Sequence, residues 1–221
     1  MLTLWPEPRP GAHLLVLGAH ADDIEIGCGG SLLALIAAQP SLRITWVVFS
    51  AVGQRRAEAL ASAAAFTAGA AQVEVLTFEH DDGLFPQDSL RIKQRFEALK
   101  AGPAPDLIFT HALHDRHQDH RLLAEMTWAT WRGHSVLEYE IPKYEGDLLP
   151  TNLYLPLSDA QAQRKVTLLL QHFDSQRSRR WFSADTFLAT LRLRGVECPV
   201  PTTYAEGFHA RKLAVLAGPA R

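Results

Sequence analysis

Two rhythms of apolar residues alternate along the first half of the chain. Short runs rich in β-branched or aromatic residues, HLLVLGA (13–19), RITWVVFS (43–50), QVEVLTF (72–78) and DLIFTH (106–111), read as buried strands. Between them GSLLALIAAQ (30–39), RRAEALASAAAFTAG (55–69) and SLRIKQRFEALKA (89–101) repeat their apolar positions at helical spacing. Strand and helix in this alternation predict an α/β fold, a doubly wound, mostly parallel sheet with helices on both faces. Further on, the pattern predicts a helix at about 119–132 and then SVLEYEIPKYEGDLLPTNLYLPLS, whose prolines suit an edge strand or strands and an extended loop. Helices follow at 159–172 and 183–194. With no repeat, low-complexity segment or linker in view, residues 1–221 read as one domain.

The polar residues that interrupt these rhythms fall where chemistry is expected. His20, Asp22 and Asp23 lie just past the first predicted strand, and open α/β sheets bind ligands beyond the carboxyl ends of their strands. Imidazole nitrogen and carboxylate oxygen are ligands of catalytic zinc, and adjacent carboxylates allow one to bind metal while the other moves protons. Spacing alone does not assign the two roles. The competing reading is a helix N-terminus enriched in acidic residues. Gly27, Gly29 and Gly30 do not form a dinucleotide fingerprint, because His20 to Glu25 occupy the turn such glycines would need. They read instead as close approach of backbone to backbone where the chain enters its helix.

The second cluster is HALHDRHQDHR, residues 111–121, directly after the strand ending in DLIFT. It packs His111, His114, His117 and His120 together with Asp115 and Asp119, four of the ten histidines of the chain within ten positions. A solvated turn is the alternative, and the density at a second strand end argues against it. Parallel strands can bring both clusters to one crevice. Three protein ligands and an open fourth position form the arrangement of a hydrolytic zinc.

Composition narrows the partners. In 221 residues, 47% are apolar and the formal net charge is −2, which supplies a sizeable core but no basic footprint for nucleic acid. Cys28 and Cys198 are too few for a disulfide framework. Residues 1–11 carry three prolines and no basic n-region, and the apolar run 14–19 is too short for a signal or a membrane span. A cytoplasmic protein acting on a small, roughly neutral ligand is the expectation.

The two clusters resemble the signatures of the PIG-L-type, or LmbE-like, zinc-dependent N-deacetylases of N-acetylated amino sugars, the first in AHADDIEIGCGG and the second in HDRHQDHR. The likeness extends through FSAVGQRRAEALASAAAFTAGA (49–70), DDG (81–83), HFDSQ (172–176) and YAEGF (204–208), nearly the whole chain. The resemblance implies an LmbE-like, Rossmann-like fold and one Zn2+ per chain held by His20, Asp23 and His120. It further implies a general base at Asp22, an acid or oxyanion-stabilising role for a protonated His117, and Asp119 orienting or tuning that histidine. Arg55 and Asp82 match positions that contact the sugar. Ala21 stands where the family usually has proline, which loosens the turn and removes no reacting group. The Arg-rich SQRSRRW (175–181) reads as a solvated helix face, and Glu206 as support either for the site or for the fold.

The implied reaction is hydrolysis of the acetamide of an N-acetylated amino sugar or its glycoside to free amine and acetate. Two other readings compete: a metal-dependent hydrolase of another bond such as a phosphoester, and a non-catalytic sugar-binding protein on the same fold. The second would be marked by loss of a ligand or of the base, and the chain keeps them all. The apolar LLPTNLYLPL (148–157) suits either a surface for a possible homo-oligomer or a core or site-rim role.

Overall fold

A computed structural model describes residues 10–213. The proline-rich reading of the first residues therefore lies, for residues 1–9, outside the described part. In chain order the elements are β1 (His13–His20), α1 (Asp23–Ala38), β2 (Arg43–Ser50), α2 (Gly53–Phe66), β3 (Gln72–Thr77), α3 (Ser89–Lys100), β4 (Leu107–His111), α4 (Gln118–Thr130) and β5 (Val136–Tyr139). They continue with β6 (Leu153–Leu157), α5 (Asp159–His172), a short 3-10 helix (Asp174–Gln176), α6 (Ala184–Glu197) and β7 (Tyr204–His209).

The described strands form one sheet in the order β3-β2-β1-β4-β5-β7-β6. β1 to β5 pair in parallel, whereas β7 runs antiparallel to both β5 and β6. Alternation along β1 sends Leu14 and Val16 into the core beneath α1, α2 and α5, and Leu15 and Leu17 into the core beneath α3 and α4. Helices thus cover both faces, as the doubly wound expectation requires. The strand order reverses around β1, so the crevice of such a sheet opens beyond the carboxyl ends of β1 and β4. Those ends are His20 and His111.

Three expectations need correction. The first helix begins at Asp23, seven residues before the predicted start at 30. Asp23 through Leu32 are all buried, so this part of α1 has no polar face to produce an amphipathic period. Second, β3 is an edge strand with Gln72, Val73 and Glu74 exposed, not a buried one. Third, only β6, with Pro156 in it, is an edge strand of the proline-containing stretch; β5 is interior, flanked by β4 and β7.

The glycines of α1 serve helix packing more than helix entry. A Cβ on Gly27 would stand 2.2 Å from the Tyr139 ring, and one on Gly30 would stand 2.5 Å from Leu157. α1 therefore lies closer to the sheet than side chains at those positions would permit. In the LLPTNLYLPL stretch, Leu148 and Leu149 are exposed and Leu157 is buried, so the segment divides between surface and core.

Candidate functional site

The sheet brings the two sequence clusters together at the expected crevice. His20 ends β1, and Asp22 and Asp23 follow at the turn into α1. His111 ends β4, and His117 and His120 straddle the start of α4. The Ala19 N–H donates to His111 Nε2 at 3.0 Å and ties the two strand ends directly.

At the centre stand three donor atoms from both clusters. His20 Nδ1 is 3.2 Å from His120 Nε2, His20 Nδ1 is 3.4 Å from Asp23 Oδ2, and His120 Nε2 is 3.5 Å from Asp23 Oδ2. A tetrahedral ion bound at about 2.0–2.1 Å by its ligands has ligand–ligand edges of about 3.3–3.4 Å. The triangle has that size. Three further groups bring ligand atoms close enough for one ion: His20, His117 and His120; His20, Asp82, His117 and Asp119; and the fully buried Asp23, His111 and His120. His111 belongs to the second sequence cluster, where no role falls to it. Its Nε2 also lies 3.2 Å from Asp23 Oδ2 and 3.2 Å from the Tyr139 hydroxyl.

Each histidine has carboxylates around it. His20 Nε2 is 3.0 Å from Asp82 Oδ1 and 3.2 Å from Asp119 Oδ2. His120 Nδ1 is 3.0 Å from Asp115 Oδ2, which also meets the buried Lys143 Nζ at 3.0 Å. Such partners fix ring orientation and raise the basicity of a metal-binding nitrogen. Lys143 in turn bonds Asp147 at 2.8 Å, and Asp147 accepts the Arg116 N–H. Nothing in the sequence marks Lys143 or Asp147, since neither belongs to a motif.

The electrostatics follow from this crowding. Burial alone would depress His20, but Asp119, Asp23 and Asp82 together raise it well above the ordinary histidine value. His120 is lowered to about 4 by burial and by His111, against the pull of Asp23 and Asp115. Burial works against ionisation of Asp23, yet His120 and His111 hold it well below the usual carboxylate range. Asp82 is held down to about 2, chiefly by its hydrogen bond to His20. Asp22 behaves oppositely: burial pushes it up to about 7 despite Arg55 at 2.7 Å.

The other expected residues fall as follows. Asp22 takes φ 139° and ψ −20°, the one positive-φ residue other than glycine among the described residues, and gives α1 no side-chain cap. Arg55 bonds both the Ala21 carbonyl and Asp22 Oδ1. Asp82, two-thirds exposed, sits in the loop before α3. Asp119 does not direct its carboxylate to His117 as its main partner. Its oxygens bond His20 Nε2 and accept the Gly83 and Phe85 N–H groups, so it secures the loop that carries Asp82. Only its backbone N–H meets His117, donating to Nδ1 at 3.3 Å as the cap of α4. The cap engages Nδ1 of His117 and leaves Nε2 outside that bond. Asp115 accepts the backbone N–H of His117 through Oδ1.

Comparison with known proteins agrees with this architecture. The family model described as GlcNAc-PI de-N-acetylase, PIG-L, matches residues 15–131. No curated protein matches the chain by sequence. The conserved protein TT1542 from Thermus thermophilus is similar with a TM-score of 0.69 at 19% identity, over 94% of this chain and 99% of that one. GalB, the 4-carboxy-2-hydroxymuconate hydratase of Pseudomonas putida KT2440, gives 0.69 at 18% identity over 95% and 100%. The N,N'-diacetylchitobiose deacetylase of Pyrococcus horikoshii gives 0.64 at 16% identity over 89% and 82%. At these identities the likeness to solved structures concerns the fold.

Proposed function

The chain belongs to the PIG-L family of GlcNAc-PI de-N-acetylases, and from that premise we propose that it hydrolyses the acetamide of an N-acetylated amino sugar or its glycoside, releasing acetate and a free amine. One Zn2+ per chain would be held by His20 Nδ1, Asp23 Oδ2 and His120 Nε2. The observation that carries this reading is the donor triangle of 3.2, 3.4 and 3.5 Å. The charge balance supports it as well. His20 is raised because carboxylates surround it, and a divalent cation answers the same excess of negative charge as a proton does. When bound, the ion supplies Lewis acidity towards the amide carbonyl and the attacking water.

The remaining steps belong to side chains of this chain. Asp22, buried next to Asp23 but turned to Arg55, accepts a proton from the attacking water as its oxygen bonds to the acetamide carbon. His117, its Nδ1 engaged by the α4 cap, offers Nε2–H to the carbonyl oxygen as negative charge grows there. Collapse breaks the carbon–nitrogen bond, and Asp22 passes the proton it took from the water to the leaving nitrogen. Asp119 keeps the His20 ring oriented and the Asp82 loop in place. Arg55 and Asp82 meet hydroxyl groups of the sugar, a small set of fixed polar partners for a neutral ligand.

The test is a panel of N-acetyl amino sugars, free and as glycosides, assayed for acetate with and without chelator. Acetate release that chelation abolishes and zinc restores is the expected result. Because the fold also serves a hydratase, acetate itself must be measured rather than loss of substrate. Release of phosphate from phosphoesters with no acetate from any member of the panel would overturn the reading.

A further inference from the structure

An ion pair is set against the middle of the helix that carries Asp23. Lys165 of α5 and Glu206 of β7 are both buried, with Nζ and Oε1 2.6 Å apart. Both address one step of α1. Lys165 Nζ donates to the Ile26 carbonyl at 2.6 Å, while Glu206 accepts the Gly30 N–H at 2.8 Å and the Ser31 N–H at 2.6 Å. In a regular helix the Ile26 carbonyl and the Gly30 N–H serve each other. Here each meets a charged side chain, and the bare Gly30 permits it, since a Cβ there would stand 2.9 Å from Glu206 Oε1.

Stability alone is a poor account of such a pair. Desolvation of two buried charges largely offsets their attraction, and apolar replacements of similar volume are often neutral or stabilising. The place of the pair suggests a geometric role. Ile26, whose carbonyl Lys165 holds, donates its own N–H to the Asp22 carbonyl at 2.9 Å. Asp22 is the residue at φ 139°, a conformation that is strained for a non-glycine residue and persists only where its surroundings impose it. Arg55 grips the turn from one side through Ala21 and Asp22. The helix grips it from the other through Ile26.

We propose that Lys165 and Glu206 are positioning residues: they fix the Ile26–Ser31 step of α1 and, through the Ile26 N–H, hold Asp22 in its left-handed conformation beside Asp23. The conformational part stands on geometry alone. Its consequence for turnover rests on the reading of Asp22 as general base.

The experiment compares the full-length wild type with Lys165→Met/Glu206→Leu, which removes both charges and leaves neither buried alone, and with Glu206→Gln, which keeps an acceptor oxygen. Two quantities are read beside the melting temperature. Hydrogen exchange of the Ile26 amide in the double variant should quicken about tenfold or more while that of β1 is unchanged. In the same variant kcat for acetate release should fall about tenfold or more with KM within about twofold, the signature of a misplaced proton acceptor. Glu206→Gln should move both in the same direction, and it carries the comparison if the double variant does not fold. A pair that is merely structural would shift the melting temperature and leave Ile26 exchange and kcat at wild-type values, and that result overturns the proposal. If the wild type releases acetate from no substrate, the functional reading fails by itself, and Ile26 exchange still decides the positioning claim.

Discussion

Nδ1 of His120 stands 3.0 Å from Oδ2 of Asp115, an oxygen that Lys143 neutralises from its other side at the same distance. The contact fixes the ring so that Nε2 points at Asp23 and His20. Asp115→Asn keeps the shape but removes the negative charge that raises the basicity of Nε2. Zinc affinity, measured by competition with a chromophoric chelator, should fall by about 10–100-fold. An unchanged affinity would show that the Asp115 contact does not tune the centre.

Proton competition should make metal binding depend on pH. The folded-state pKa of His20 is raised well above 6.5 by Asp119, Asp23 and Asp82, which outweigh its burial. A ligand nitrogen must be free of its proton, so below that raised value zinc has to displace a proton and its apparent affinity is reduced. Affinity should therefore climb as pH rises from about 6 through 8, by up to about tenfold per pH unit for one displaced proton. Titrations at constant ionic strength across that range check the slope. A flat profile would mean that His20 binds zinc without losing a proton, which its chemistry forbids, and would remove it from the ligand set.

Much of the frame was legible because periodicity reports it: β2 matches its sequence bounds, and β1, β4, α3 and α5 do so to within about a residue. The first turns of α1 were not legible. A helix buried all round has no apolar stripe, and its glycines look like a loop. β7 was missed as a strand because YAEGFH places an acidic residue among apolar ones; Glu206 is tolerated there only because Lys165 and two amides satisfy it. The clusters that contain His20, Asp23 and His120 stood out because they follow strand ends, whereas the choice of these three within them is what the family resemblance implies. Lys143, Asp147 and Lys165 could not, since a lone lysine or aspartate acquires meaning only from the partner the fold brings to it. Asp119 illustrates the intermediate case, a motif residue whose carboxylate faces His20 rather than its sequence neighbour His117.

Arg55 and Asp82 should fail in different ways although both were expected at the sugar. Asp82 is largely exposed, and His20 retains Asp119 when Asp82 is lost. Asp82→Ala should raise KM about tenfold, the loss of one or two hydrogen bonds to substrate, while zinc stays bound. Arg55→Ala also frees Asp22 from its 2.7 Å partner, so kcat should fall along with affinity. Steady-state kinetics with metal analysis separate the two variants. An Asp82→Ala enzyme with wild-type KM for every substrate of the panel would withdraw Asp82 from the sugar site.

Gly27→Ala tests the close seating of α1. Alanine gains about 1 kcal/mol of helix propensity over glycine. Against this, the new Cβ would stand 2.2 Å from the ring of Tyr139. That ring is fully buried, and its hydroxyl donates to the Leu17 carbonyl at 2.6 Å, so it has little room to withdraw. Overpacking of this kind costs about 1–3 kcal/mol, more where backbone must shift, so the clash outweighs the propensity. Thermal or denaturant unfolding should show net destabilisation, and a variant as stable as the wild type would mean that α1 does not rest on Tyr139 this closely.

Asp22 and Asp23 are adjacent in sequence but face different partners, and this division yields the sharpest prediction. Asp23 Oδ2 lies within 3.5 Å of His20, His111 and His120 and is kept ionised by these histidines. Asp22 is turned towards Arg55, with burial pushing it up to about 7. An anion locked among three imidazoles suits metal binding, and a carboxylate poised near neutrality suits proton transfer. Asp22→Asn cannot take the proton, so turnover should drop by roughly 10²-fold or more with zinc content unchanged. Asp23→Ala should lose zinc on dialysis and activity with it, and excess zinc should restore part of that activity. Zinc content and acetate release measured side by side distinguish the roles: full metal in Asp23→Ala together with metal loss in Asp22→Asn would exchange them.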